Sequence, residues 1–169
     1  MSKWIAAFRK ADWKYQGLRI AALGLGASIW AFMSLPGVLY IGRDGSEYAF
    51  TGLNELFYGS FGFPGLEGQL VPAIWSAVGY AFCTLAGVVC FVCDKRGGYL
   101  IGLLLAGLGF VAVAIQPIMT IKYFYQHAEA GPSVFRSGYV MPIVLSLLLV
   151  CVVAVLYVLA DERDRKPSK

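Results

Sequence analysis

Residues 68–121 read GQLVPAIWSAVGYAFCTLAGVVCFVC, then DKR at 94–96, then GGYLIGLLLAGLGFVAVAIQPIMTI. Two uncharged runs, Gly68 to Cys93 and Gly97 to Ile121, are separated by three charged residues. Each run is longer than the roughly 18 apolar residues needed to propose a helix across a hydrocarbon core of about 30 Å. So short a link makes the two helices antiparallel neighbours, and this hairpin decides the fold class.

Two more uncharged runs flank it, Ile20 to Gly42 and Ser137 to Ala160. The expected fold is an all-α integral membrane protein, a four-transmembrane-helix bundle. Its spans fall at about 20–42, 70–93, 97–121 and 138–160, with outer loops 43–69 and 122–137 and a charged tail at 161–169. Composition agrees: of 169 residues only 14% are charged, and the mean hydropathy is +0.68, so most of the chain is suited to lipid rather than water. One membrane domain, 19–160, is expected.

Orientation follows from Lys and Arg, which favour the cytoplasmic side. Lys3, Arg9, Lys10, Lys14, Arg19, Lys95, Arg96, Arg163, Arg165, Lys166 and Lys169 fall on one face, and only Arg43, Lys122 and Arg136 on the other. Both termini are therefore expected to be cytoplasmic (N-in/C-in), in the cell membrane. The basic residues form no aromatic-basic stripe that could follow a phosphate backbone, so no nucleic-acid partner is expected. The opening MSKWIAAFRKADWKYQG lacks the apolar core of a cleaved signal peptide. At helical spacing Trp4, Phe8, Ala11 and Tyr15 share a face, with Lys3, Lys10 and Lys14 on another. Residues 1–18 thus read as an amphipathic N-terminal interfacial helix, or more simply as a positive flank.

Tyr40, Tyr48, Tyr123, Phe124, Tyr125 and Tyr139 are expected at the outer interface. Pro36 and Pro117 should kink spans one and three, while Pro72 and Pro142 lie in tolerant first turns. Pairing Pro36 with Pro117, and Pro72 with Pro142, raises the possibility of a parallel internal repeat. Small residues recur at four-residue spacing, Gly79, Cys83 and Gly87 on span two and Gly98, Gly102 and Ala106 on span three. Such faces admit close backbone approach, within the chain or between copies.

The first outer loop is the least ordinary segment. Tyr48, Phe50, Leu53, Phe57, Tyr58, Phe61 and Phe63 give it more apolar surface than water favours, so it either caps the bundle or binds a partner. A short helix is expected over Thr51 to Tyr58.

The chemistry is sparse. Transporters usually hold an ionisable residue at membrane depth, and none falls inside the four runs; the membrane carboxylate of small four-span drug exporters is missing. Tetraspanins and claudins share the topology, but their outer-loop cysteine signatures are also missing. Cys90 and Cys93 lie nearly on one face, with Cys83 two turns earlier; the readings are small apolar packing, a redox pair, or lipidation of Cys93. His127 is the one histidine and reads as an interfacial residue, so no metal site and no cofactor are expected. Ser34, Ser76, Gln116 and Thr120 would line a polar path if one exists. The expected function is non-enzymatic: an accessory, assembly or stabilising subunit whose partners are the lipid bilayer and other membrane subunits, or copies of itself. The alternatives are an oligomeric channel or carrier for a small neutral substrate, and a membrane thiol redox enzyme.

Overall fold

The computed structural model describes residues 13–33, 35–41, 45, 47–51, 74–127 and 133–165. These are mostly helical: α1 (Trp13–Ser28), α2 (Ile74–Val92), α3 (Arg96–His127) and α4 (Ser137–Arg165). A tighter 3-10 segment, Ile29–Phe32, continues α1. Three short strands, β1 (Pro36–Ile41), β2 (Glu47–Thr51) and β3 (Ser133–Phe135), form one antiparallel sheet in the order β2-β1-β3. The helices pack in sequence order, and α4 closes back on α1. Ala22 and Ile29, Tyr80 and Cys83, Tyr99 and Ala106, and Leu149 and Val153 form their shared core.

The α2–α3 hairpin is antiparallel, and small residues set its spacing. A Cβ on Gly79 would lie 2.9 Å from Val113 Cγ2, one on Gly109 2.6 Å from Cys83 Sγ, and one on Gly102 2.5 Å from Cys90 Sγ. The partner numbers fall on one helix as they rise on the other. Gly98, beside the turn, similarly abuts Cys93, and Ala106 is fully buried.

Two helices are long and apolar enough to cross a membrane: Arg96–Ile118 within α3, whose most apolar 18 residues have a mean hydropathy of 2.3, and α4, whose most apolar 18 residues reach 3.1. Only 28% of the most apolar window of each is buried. Their outward faces expose Leu104, Leu108 and Ile118 on α3 and Val144, Leu148 and Val158 on α4. The core helix of a water-soluble protein would cover such residues.

The first expected span, 20–42, is corrected at both ends. Its helix begins by Trp13 and ends near Phe32, and Pro36–Ile41 is strand β1 rather than a kinked helix. Proline cannot continue a helical ladder and pushes the residue before it towards an extended backbone. The following Val-Leu-Tyr-Ile favours a strand once partners exist. Both are present: Tyr40 pairs with Tyr48 and Ile41 with Glu47 of β2, while Val38 pairs with Phe135 and Leu39 with Val134 of β3. In the β1–β2 connection Gly45 adopts a φ of +82°, which glycine tolerates without a Cβ clash.

Four further expectations change. Pro36 opens a strand whereas Pro117 lies inside α3, so the two are not equivalent positions of a repeat. The second outer loop, 122–137, shrinks because α3 runs on to His127 and β3 occupies Ser133–Phe135. Trp13–Leu18 is already part of α1, so no boundary at 18 separates it from the rest of that helix. Tyr15 does not face headgroups: it is buried, its ring edge-on to Tyr99 of α3 at 5.8 Å. The rest of the amphipathic face, Trp4, Phe8 and Ala11, lies outside the described residues, as do Pro72 and the helix expected at Thr51 to Tyr58, beyond Thr51 itself.

Candidate functional site

The described polar side chains gather mainly at the end of the bundle that holds the α2–α3 turn. α2 stops at Val92 without a glycine to satisfy its last carbonyls, and other groups do so. Cys93 N–H donates to Val89 O at 2.8 Å. Arg19 of α1 reaches across, donating from Nε to Cys90 O at 3.2 Å and from Nη2 to Phe91 O. A cation at a helix C-terminus also meets the negative end of the helix dipole. Arg19 is only 4% exposed and stands 3.8 Å from Asp94.

Asp94 in the turn also takes Arg163 of α4 at 3.4 Å, and Arg163 donates to the Asp94 carbonyl at 2.6 Å while its guanidinium lies over the Tyr15 ring. Partial burial works against the charged form of Arg163, but Asp94, Tyr15 and Asp164 outweigh it and hold its pKa above the ordinary arginine value. On the neighbouring seam Arg96 of α3 pairs with Asp161 of α4 at 2.8 Å, and its Nη2 donates to Tyr157 Oη at 2.9 Å. Arg165 meets the other oxygen of Asp161 at 2.9 Å. These contacts tie α1, the turn, α3 and α4 together. Uncharged-run reading misses Arg19 because it treats every charge as a span boundary; the signal available was an α2 end with no C-cap glycine.

At the opposite end the sheet is joined to α4 by close backbone contact. A Cβ on Gly138 would lie 2.3 Å from Leu35 O, and one on Gly37 2.5 Å from Tyr139 Cε1. Arg136 N–H donates to Gly37 O at 2.8 Å. The β1–β2 register shifts between Pro36 and Val38, so Gly37 sits at a bulge where another chain segment approaches. β1 thereby links the first and third inter-helix connections to the start of α4.

Along the bundle α1 and α2 touch through backbone. A Cβ on Gly26 would lie 2.6 Å from Cys83 O, and one on Gly87 2.8 Å from Ala22 O. Beside them Thr84 Oγ1 accepts from Trp30 Nε1 at 2.7 Å and lies 3.1 Å from Gly26 O and 2.9 Å from Tyr80 O, to either of which its one proton can be donated. Gly87 therefore faces α1, while Gly79 and Cys83 serve the α2–α3 contact.

Of the other candidate residues, Tyr48 and Phe50 lie on β2, and Leu53, Phe57, Tyr58, Phe61 and Phe63 lie outside the described residues. Gln116 is buried, at 2% exposure, next to Pro117 in α3. Ser76 and Thr120 belong to α2 and α3, and Ser34 lies outside the described residues, so no common path through the four is defined. All four cysteines are free: Cys83 and Cys90 are buried against glycines of α3, and Cys151 faces outward. Among the described residues no three His, Cys, Asp or Glu side chains are grouped to hold a metal ion. In comparison with known proteins, the chain matches no family model, no curated protein and no solved structure.

Proposed function

We propose that the chain is an integral membrane protein of four spans, with both termini cytoplasmic, that acts by contact and without catalysis as an accessory, assembly or stabilising subunit. The observation that carries this reading is the distribution of polarity. Leu104, Leu108 and Ile118 on α3, Val144, Leu148 and Val158 on α4, and Leu85 and Val88 on α2 are exposed to the surroundings, while the described charges of the helices stand at the turn end except for Lys122, near the far end of α3. Contiguous apolar surface on this scale suits lipid or a partner subunit and is rare on a soluble monomer. The charge bias of the sequence assigns the turn end to the cytoplasm of the cell membrane, and the sheet then lies outside, with Tyr48 and Phe50 on β2.

The role as a subunit rests on groups that are spent on packing: buried Arg19 on helix carbonyls, buried Cys83 and Cys90 on glycines, and half-buried Thr84 on Trp30. Native mass spectrometry after extraction in mild detergent tests it. The expected result is a mass that includes another membrane subunit or a second copy of the chain. A single copy, with nothing else bound under conditions that leave it folded, would overturn it.

A further inference from the structure

Carboxylates are outnumbered where α4 leaves the bundle. Asp161 receives Arg96 on one oxygen at 2.8 Å and Arg165 on the other at 2.9 Å, and Asp94 is likewise shared by Arg19 and Arg163. Four guanidiniums thus contact two carboxylates. Asp164 and Glu162 are nearby and exposed. Even with them counted, segments 1–19, 94–96 and 161–169 hold eleven Lys and Arg against five Asp and Glu.

Arg96 and Arg165 share one carboxylate and are both accessible, with side chains 48% and 77% exposed against 20% for Asp161; Arg163 is as open, at 50%, but is held by the side chain and the carbonyl of Asp94. Arg96 is held in place by Tyr157, whose ring it covers at 5.3 Å and whose hydroxyl accepts from its Nε and Nη2. A guanidinium carries five donors in a planar fork that fits phosphate oxygens. Two such groups brought to one carboxylate repel each other, and a second anion would relieve that. Immediately beyond Arg96 the outward residues of α3 become apolar, Leu100 and Ile101 at 44% and 54% exposure. Charge followed within one helical turn by apolar surface is the profile of a lipid's headgroup and acyl chain.

Resting on the membrane reading above, we infer that Arg96 and Arg165 form a headgroup site for an anionic phospholipid, with Asp161 as the internal carboxylate that occupies them when no lipid is bound. The lipid phosphate sits on the two guanidiniums and the acyl chains lie along the exposed apolar faces of α3 and α4.

The test uses two variants with opposite expected signs. The full chain is reconstituted in nanodiscs of phosphatidylcholine alone or with phosphatidylglycerol, and retained lipid and melting temperature are measured. Arg165→Gln, at the exposed end of α4, should lower retained phosphatidylglycerol by about fivefold, the value of one basic side chain near an anionic surface. Asp161→Asn should raise retention, and should melt lower than wild type in phosphatidylcholine but recover when phosphatidylglycerol is present. A merely structural ion pair would instead make both variants less stable in both lipids, with lipid retention unchanged. Equal retention by wild type and both variants, or stabilisation in phosphatidylcholine by inorganic phosphate equal to that by phosphatidylglycerol, would overturn the inference. Failure of the membrane reading itself would register separately, as a chain that does not float with vesicles and is released by alkaline carbonate.

Discussion

Arg19 shows how one side chain can mislead a reading based on charge. In the sequence it marks the inner edge of span one, because an unpaired guanidinium in lipid is costly. In the structure it is buried inside the bundle and donates to the carbonyls of Cys90 and Phe91 near the end of α2. Arg19→Met keeps the apolar stem but takes the charged donor away from the Cys90 and Phe91 carbonyls, so a loss of about 2–3 kcal/mol is expected, the cost of removing a charged donor from buried acceptors. It should appear as a lower melting temperature in detergent. Arg19→Lys should recover only part of it, since an ammonium lacks the fork that spans two carbonyls. A Met variant that melts with wild type would show that the cap contributes nothing.

Elements defined by local pattern were legible, and those that need distant partners were not. The α2–α3 hairpin follows from two uncharged runs and a short link, all within one stretch of chain. Strand β1 does not: Pro36 to Ile41 is as apolar as the helix before it, and it becomes a strand because β2 and, much later in the sequence, β3 supply its hydrogen bonds. The junction with α4 separates backbone from side-chain constraint. Gly138→Ala places a methyl against the Leu35 carbonyl, which cannot swing aside. Gly37→Ala meets the side chain of Tyr139 first, and a ring can shift where a carbonyl cannot. Alanine favours a helix over glycine by about 1 kcal/mol, but overpacking against fixed backbone costs about 1–3 kcal/mol. Gly138→Ala should therefore be the more destabilising of the two in thermal melts, despite its position in a helix. The reverse order would mean that β1 yields more easily than the ring.

The whole molecule has two unlike ends: a charged one where α1, the turn, α3 and α4 meet, and a sheet at the other. If the membrane reading holds, cysteines introduced at Ser46 and Ser133 in a variant without the native thiols will react with an impermeant maleimide from outside, and cysteines at Ser2 and Ser168 will not. The opposite pattern would reverse the orientation and place Cys90 and Cys93 towards the outside. The candidate site was less legible than the fold. The small-residue positions could be read from their spacing, but the arginine sharing could not, because it depends on which helix ends meet. The sheet also carries a consequence for the order of synthesis. β1 leaves the ribosome early, yet the strand that covers its second edge follows only after α2 and α3. Until residues 133–135 emerge, that edge of β1 is an open template for any extended chain nearby, so the last connection to be made is also the one that closes β1 off from strays.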